Sequence, residues 1–193
     1  EELGKINDIS NILNSIGECF SIQGDYKKAL EYHSRSLNIA ENQNNKEQIS
    51  RALTSIGILY LEQDKYDKSL DYFKRSLEIE EKLGNKLDIA VVLDELGHYY
   101  DVIGAYEISL DYAKRSMEIL EENGGNNYSL ANALNNIGAS LMAMGDYDSA
   151  LVYLSKSLKI REEIQDKHGI AFSLHNIGDI YINNAEYNKA INY

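Results

Sequence analysis

The sequence predicts an all-α fold, a solenoid of antiparallel helix hairpins laid down one after another. Three observations carry that expectation. The string from Ala133 to Ile160, ALNNIGASLMAMGDYDSALVYLSKSLKI, recurs in altered form about every forty residues. Its glycine returns as Gly17, Gly57, Gly97, Gly138 and Gly178, and its turn tyrosine as Tyr26, Tyr66, Tyr106, Tyr147 and Tyr187. Within each copy, apolar residues follow the i, i+3, i+4, i+7 spacing of an amphipathic helix. Proline is absent from all 193 residues, which suits uninterrupted helices. A regular period of this length marks a quasi-one-dimensional array, in which each unit packs only on its neighbours.

The repeats are bounded at residues 5–44, 45–84, 85–125, 126–165 and 166–193, the last cut short in its second helix. Residues 1–4 align with Glu81-Lys82-Leu83-Gly84 and are expected to be the tail of a preceding helix. Both ends of the chain therefore fall inside the pattern, as in a segment of a longer array. In the first repeat, Ile9, Ile12, Leu13, Ile16, Cys19 and Phe20 form one stripe, which places a helix over roughly 7–23. Gly24 can adopt the left-handed conformation that ends it, and Asp25 can cap the next helix. The second helix carries Tyr26, Ala29, Leu30, His33, Leu37 and Ile39, and fades in the Asn-rich stretch 42–45. Later repeats follow the same plan, turning without glycine at Asp64-Lys65 and Ala185-Glu186. The connections are short enough to force antiparallel hairpins.

Glycine inside a helix costs about 1 kcal/mol relative to alanine, so its recurrence calls for a packing reason. The second helices offer Ala29, Ser69, Ser109, Ala150 and Ala190 in matching places, and small residues facing each other would let the backbones approach. One interval, from Gly97 to Gly138, is a residue longer. The extra residue lies in 122–127, where Gly124-Gly125 is flanked by asparagines. It is read as a tolerated loop insertion, with a local bend as the alternative.

These residues resemble tetratricopeptide repeats across essentially the whole chain. The first repeat shows the pattern as Leu13, Ile16-Gly17, Phe20, Gly24-Asp25-Tyr26, Ala29 and Ser36. The fourth shows it as Leu134, Ile137-Gly138, Leu141, Gly145-Asp146-Tyr147, Ala150 and Ser157. The period is forty rather than the usual thirty-four, and Glu41, Glu81, Glu121 and Glu162 stand where the family has proline. That matches a long-helix subgroup similar to repeats of kinesin light chains, G-protein-regulator scaffolds and bacterial signalling proteins. The resemblance implies a right-handed superhelix whose first helices line a concave groove that holds a peptide.

Counted back from the packing glycine, the groove positions include Asn14, Glu18, Arg51, Thr54, Asp94, Glu95, His98 and Asp101. The fourth and fifth repeats add Asn132, Asn135, Asn136, Met142, Phe172, His175, Asn176 and Asp179. Arg51 is the only permanent cation among them. A basic cluster for C-terminal carboxylates, as in the specialised chaperone-tail version of the family, is therefore not expected. Five acids against one arginine favour a basic or polar protein segment, or else are simply solvated. Asn14, Asn135, Asn136 and Asn176 stand in one row and could grip a peptide backbone with paired donors and acceptors; the alternative is a polar surface in an Asn-rich chain. On the opposite side, Glu31–Arg35, Asp71–Arg75 and Asp111–Arg115 are i, i+4 pairs that support exposed helices.

The remaining expectations are exclusions. A net charge of -12 argues against nucleic acid and against an anionic membrane surface. No apolar run is long enough to span a bilayer, and no signal peptide is visible, so a cytoplasmic location is expected. The single cysteine, Cys19, cannot form an internal disulfide and is read as a small core residue. The histidines are scattered, without the spacing of a helical metal site, and no strand precedes a glycine-rich loop. No enzymatic activity, cofactor or metal is expected. The leading function is a protein-interaction scaffold. The alternative is a regulatory or sensor segment of a larger signalling protein, and self-association through the cut ends is a third reading.

Overall fold

The computed structural model describes residues 2–193, with side chains from Ile9 onward. The expected tail of a preceding helix at residues 1–4 lies outside the described side chains. The helices are α1 (Glu2–Ile22), α2 (Tyr26–Asn42), α3 (Lys46–Leu61), α4 (Tyr66–Leu83) and α5 (Lys86–Val102). They continue with α6 (Tyr106–Glu122), α7 (Asn127–Ala143), α8 (Tyr147–Glu163), α9 (Lys167–Asn183) and the short α10 (Tyr187–Ala190). No strand occurs among the described residues. The array is the predicted all-α solenoid of hairpins, except that α1 runs unbroken from Glu2, where a helix end was expected at residues 1–4.

Local chemistry explains the boundaries. Gly24 takes φ 75° and ends α1, a conformation glycine adopts without the penalty of a Cβ. Asp25 then accepts the backbone N–H of Lys28 at 3.2 Å and caps α2. Asn45, Asn126, Asp146 and Asp166 cap α3, α7, α8 and α9 in the same way, each satisfying one of the first-turn donors. The two turns expected to lack glycine use Asp64 (φ 57°) and Ala185 (φ 58°) in the left-handed region, at a cost of about 1–2 kcal/mol each.

The chain divides into two compact units, residues 1–95 and 96–193. In the first, Ala40, Ile49 and Leu53 form a buried cluster flanked by Leu37, Tyr72 and Ile79. In the second, Ala113, Ile137, Ala150, Leu154, Ile177 and Ile180 do so, flanked by Leu110 and Tyr147. Buried serines tie the hairpins of the first unit together. The Ser10 and Ser36 hydroxyls lie 2.9 Å apart, and those of Ser50 and Ser76 2.7 Å.

Three packing details differ from expectation. The space beside three of the recurring glycines is filled by the residue one turn beyond the small one. An added Cβ would meet His33 at Gly17, Phe73 at Gly57 and Leu154 at Gly138, the nearest atoms at 2.6, 2.7 and 2.6 Å. At Gly97 the facing residue is small, and the nearest contacts are Ser109 and Ala113 backbone at 3.4 Å, while at Gly178 nothing lies closer than 3.8 Å. Ala29, Ser69, Ser109 and Ala150 are nonetheless fully buried. Secondly, Ile9, Ile12 and Cys19 are exposed. Their equivalents in α3, Ile49, Ala52 and Leu59, are buried because α2 packs on that helix. No helix precedes α1 among the described residues. Finally, the double glycine is not interchangeable: Gly124 is left-handed, whereas a Cβ on Gly125 would strike the Leu120 side chain.

Candidate functional site

In the first unit, three first helices contribute the same side to one pocket of about 310 Å³. Helix α1 supplies Asn14, Ser15 and Glu18, α3 supplies Arg51, Thr54 and Ile58, and α5 supplies Asp88, Val91 and Glu95. The floor comes from a second helix, through Glu80 near the end of α4. Helical spacing explains the grouping, since residues three and four apart share a face. The Cβ direction carries each of them past the packing glycine toward the same side.

Five of the residues predicted to face the groove therefore meet here: Asn14, Glu18, Arg51, Thr54 and Glu95. They are not equally available. Asn14 donates to Glu18 at 3.0 Å and to Ser55 at 3.2 Å, and its carbonyl lies 2.7 Å from Nδ1 of His33. With that carbonyl as acceptor, His33 carries its proton on Nδ1. The ring is buried, and burial pushes its pKa down to about 4, so it is neutral. Thr54 turns inward, donating to the Ser50 carbonyl at 3.1 Å and lying 2.8 Å from the Ser76 hydroxyl. Arg51, Glu18 and Val91 are exposed.

Two carboxyl groups are strongly perturbed. Burial pushes Glu95 up to about 8, assisted by the negative charges of Asp94 and Glu62, so it holds its proton at neutral pH. Glu80 is 1% exposed, and burial raises its pKa while the Ser50 hydroxyl and the more distant Arg51 oppose the rise. Its Oε2 has no hydrogen-bond partner. A buried, unsatisfied carboxylate oxygen is costly, and the residue that carries it lines the pocket.

Glu80 was not among the sequence candidates, because it lies on a second helix. A signal was present, however. The equivalent positions are Ala40, Leu120 and Arg161, all packing positions, so a glutamate there is out of place. Arg161 shows how the fold accommodates a charge at this point. It is 7% exposed and reaches Asn132 at 2.9 Å, Asp166 at 3.2 Å and the Ser157 hydroxyl at 3.1 Å.

The second unit spreads its candidates differently. Asn132 is engaged by Arg161, and Asn135 (4% exposed) accepts from Asn176 (7% exposed) at 3.4 Å, which ties α7 to α9. Two members of the predicted asparagine row thus bond to each other. Asn136 is half-buried and engaged in a further interaction. Met142 packs on the apolar cluster. His175 lies 3.4 Å from Asp179, and Phe172 is exposed. His98 is exposed, and Asp101 is half-buried. Burial raises the Asp101 carboxyl, with His98 opposing. Of the three predicted supporting pairs, Asp71–Arg75 and Asp111–Arg115 lie at 3.9 Å, while the Arg35 guanidinium sits over the Tyr32 ring at 5.4 Å.

Comparisons with known proteins agree with this fold. The tetratricopeptide-repeat profile matches residues 8–82, 48–122 and 129–193. No curated protein sequence matches the chain. Among solved structures, BtubC (BKLC) from P. vanneervenii is similar with a TM-score of 0.78 and 18% identity, over 96% of this chain and 76% of that one. A Rap protein complexed with competence and sporulation factor gives 0.84 and 17%, over 95% of this chain and 51% of that one. A signal transduction ATPase with a tetratricopeptide repeat sensor from Pyrococcus horikoshii gives 0.79 and 19%, over 95% and 28%. At such identities the likeness concerns the fold. No helix among the described residues is long and apolar enough to cross a membrane.

Proposed function

The chain belongs to the tetratricopeptide-repeat family, and we propose that it is a protein-interaction scaffold that holds a peptide or partner segment against its first helices. One observation carries this reading: α1, α3 and α5 of the first unit bring the same face to a single pocket. Half-buried and exposed polar groups line that face beside Ile58 and Val91. Such a surface offers backbone-directed hydrogen bonds and some apolar area, with carboxylates outnumbering arginine. It therefore suits a basic or polar segment. The reading involves no catalytic step and places the protein in the cytoplasm.

A second reading is favoured by two of the comparisons. The Rap complex and the ATPase sensor are structures in which the matching part is about half and about a quarter of the whole chain. This array could equally serve as the sensor segment of a larger signalling protein. Both readings use the same face.

The test is retention of partners by the immobilised array. Val91→Trp fills the pocket from an exposed position, and Lys74→Trp is a control on the exposed side of α4. Partners retained by the wild type and by Lys74→Trp but lost from Val91→Trp support the proposal. Equal retention by all three excludes this face.

A further inference from the structure

Glu80, whose buried Oε2 has no hydrogen-bond partner, lines a pocket whose other titratable groups are mostly acidic. Glu18, Asp88 and Glu95 share the lining with it, and Arg51 is the only cation there. Arg51 does not hydrogen-bond to Oε2. The three side chains that a metal ion would need do not converge anywhere among the described residues, so the groups surround a space instead of a point.

The fourth repeat supplies the template for what fits. At the position equivalent to Glu80, the buried Arg161 brings its own guanidinium, which is held by a carboxylate, a carboxamide and a hydroxyl. Gly169 makes room for it, since a Cβ there would strike the guanidinium. In the second repeat the polarity is reversed. Glu80 replaces the arginine, Arg51 stands at the position of Asn132, and Asp88 stands at that of Gly169. The internal cation is replaced by a carboxylate, and an open pocket lies in front of it.

We infer that this pocket is a subsite for one cationic side chain, lysine or arginine, of an extended peptide, with Glu80 as its principal partner and Glu95 and Asp88 beside it. This rests on the proposal that the first-helix face binds a peptide. A buried carboxylate paired with a ligand cation is a charge-assisted contact of the stronger kind. The site has a second consequence. Glu95 holds a proton at pH 7, and an arriving cation favours its ionised form, so binding releases a proton. The groups that set this response are Glu18, Glu80, Asp88 and Arg51 in the pocket, with Asp94 and Glu62 beside Glu95 and Glu47 near Glu80.

The experiment is a positional-scanning heptapeptide library applied to the full chain, followed by calorimetry on the selected peptide in two buffers of different ionisation heat. The library is expected to select lysine or arginine at one position. Replacing that residue by norleucine or citrulline should weaken binding at least tenfold in the wild type, but by less than threefold in Glu80→Gln. Proton release should be measurable at pH 7 and reduced in Glu95→Gln. Peptides that bind equally with norleucine, or a cationic preference that survives Glu80→Gln, would overturn the subsite and leave the peptide-binding face standing. A library from which nothing binds would overturn both.

Discussion

His33 shows most directly what the repeat demands of single residues. It fills the space beside Gly17, its ring is neutral, and burial holds its pKa near 4. A histidine with a folded pKa below its unfolded value of 6.5 leaves the protein stable above that value. It erodes stability as the pH falls from 6.5 toward 4, because the unfolded chain takes up the proton first. The size of the effect is on the order of 2–3 kcal/mol. Phe73 occupies the same place opposite Gly57, so His33→Phe is sterically allowed. Urea titrations between pH 7 and 4 should show a flatter loss of stability in this variant, and an unchanged slope would remove His33 as the cause. Glu95 has the opposite sign. Its pKa is raised to about 8, so its contribution is intact below about pH 4.5 and lost as the pH rises through 8. Glu95→Gln removes the titration and should stabilise the protein at pH 8 by ~1–2 kcal/mol, discounted for partial exposure. The gain should vanish near pH 5.

At the scale of helices, the interior glycines are set by what faces them. Gly57→Ala and Gly138→Ala would press a Cβ into Phe73 and Leu154, costing ~1–3 kcal/mol through overpacking. Gly97→Ala meets nothing closer than 3.4 Å, and the better helix propensity of alanine, worth about 1 kcal/mol, offsets the contact. Thermal melts of the three variants should separate Gly97→Ala from the other two, and equal losses would show that backbone approach governs all three. Helix existence and hairpin order were legible in the sequence because Gly, Tyr and the apolar stripe repeat five times. The facing partner of each glycine was not, because Ala29 and His33 lie on adjacent turns of one stripe and periodicity cannot rank them. The site was half legible for a related reason. Counting along the first helices found Asn14, Glu18, Arg51 and Glu95. It could not find Glu80, which enters from a second helix, nor foresee that Asn135 and Asn176 satisfy each other. Asn135→Ala therefore tests packing between α7 and α9 as much as any ligand contact.

Across the whole molecule, the dominant long-range term is charge. Thirty-one acidic residues against nineteen basic ones give -12, and a compact chain of one sign repels itself. The close pairs that offset this, such as Asp71–Arg75 and Asp111–Arg115, are exposed and sit at 3.9 Å, where each contributes at most a few tenths of a kcal/mol. Salt shortens the screening length to about 10 Å at 0.1 M, so it weakens the summed repulsion more than these short contacts. Folding stability at pH 7 should consequently rise between low and moderate NaCl concentration. Binding of a cationic peptide to the first unit should move the other way, because there the same field attracts. Its association rate falls with salt, while dissociation, set by the short contacts in the pocket, changes little. Thermal melts and stopped-flow binding on one salt series read both terms. A melting temperature that drops with NaCl would show that the pairs outweigh the net charge, and an association rate indifferent to salt would remove the acidic face as a steering surface.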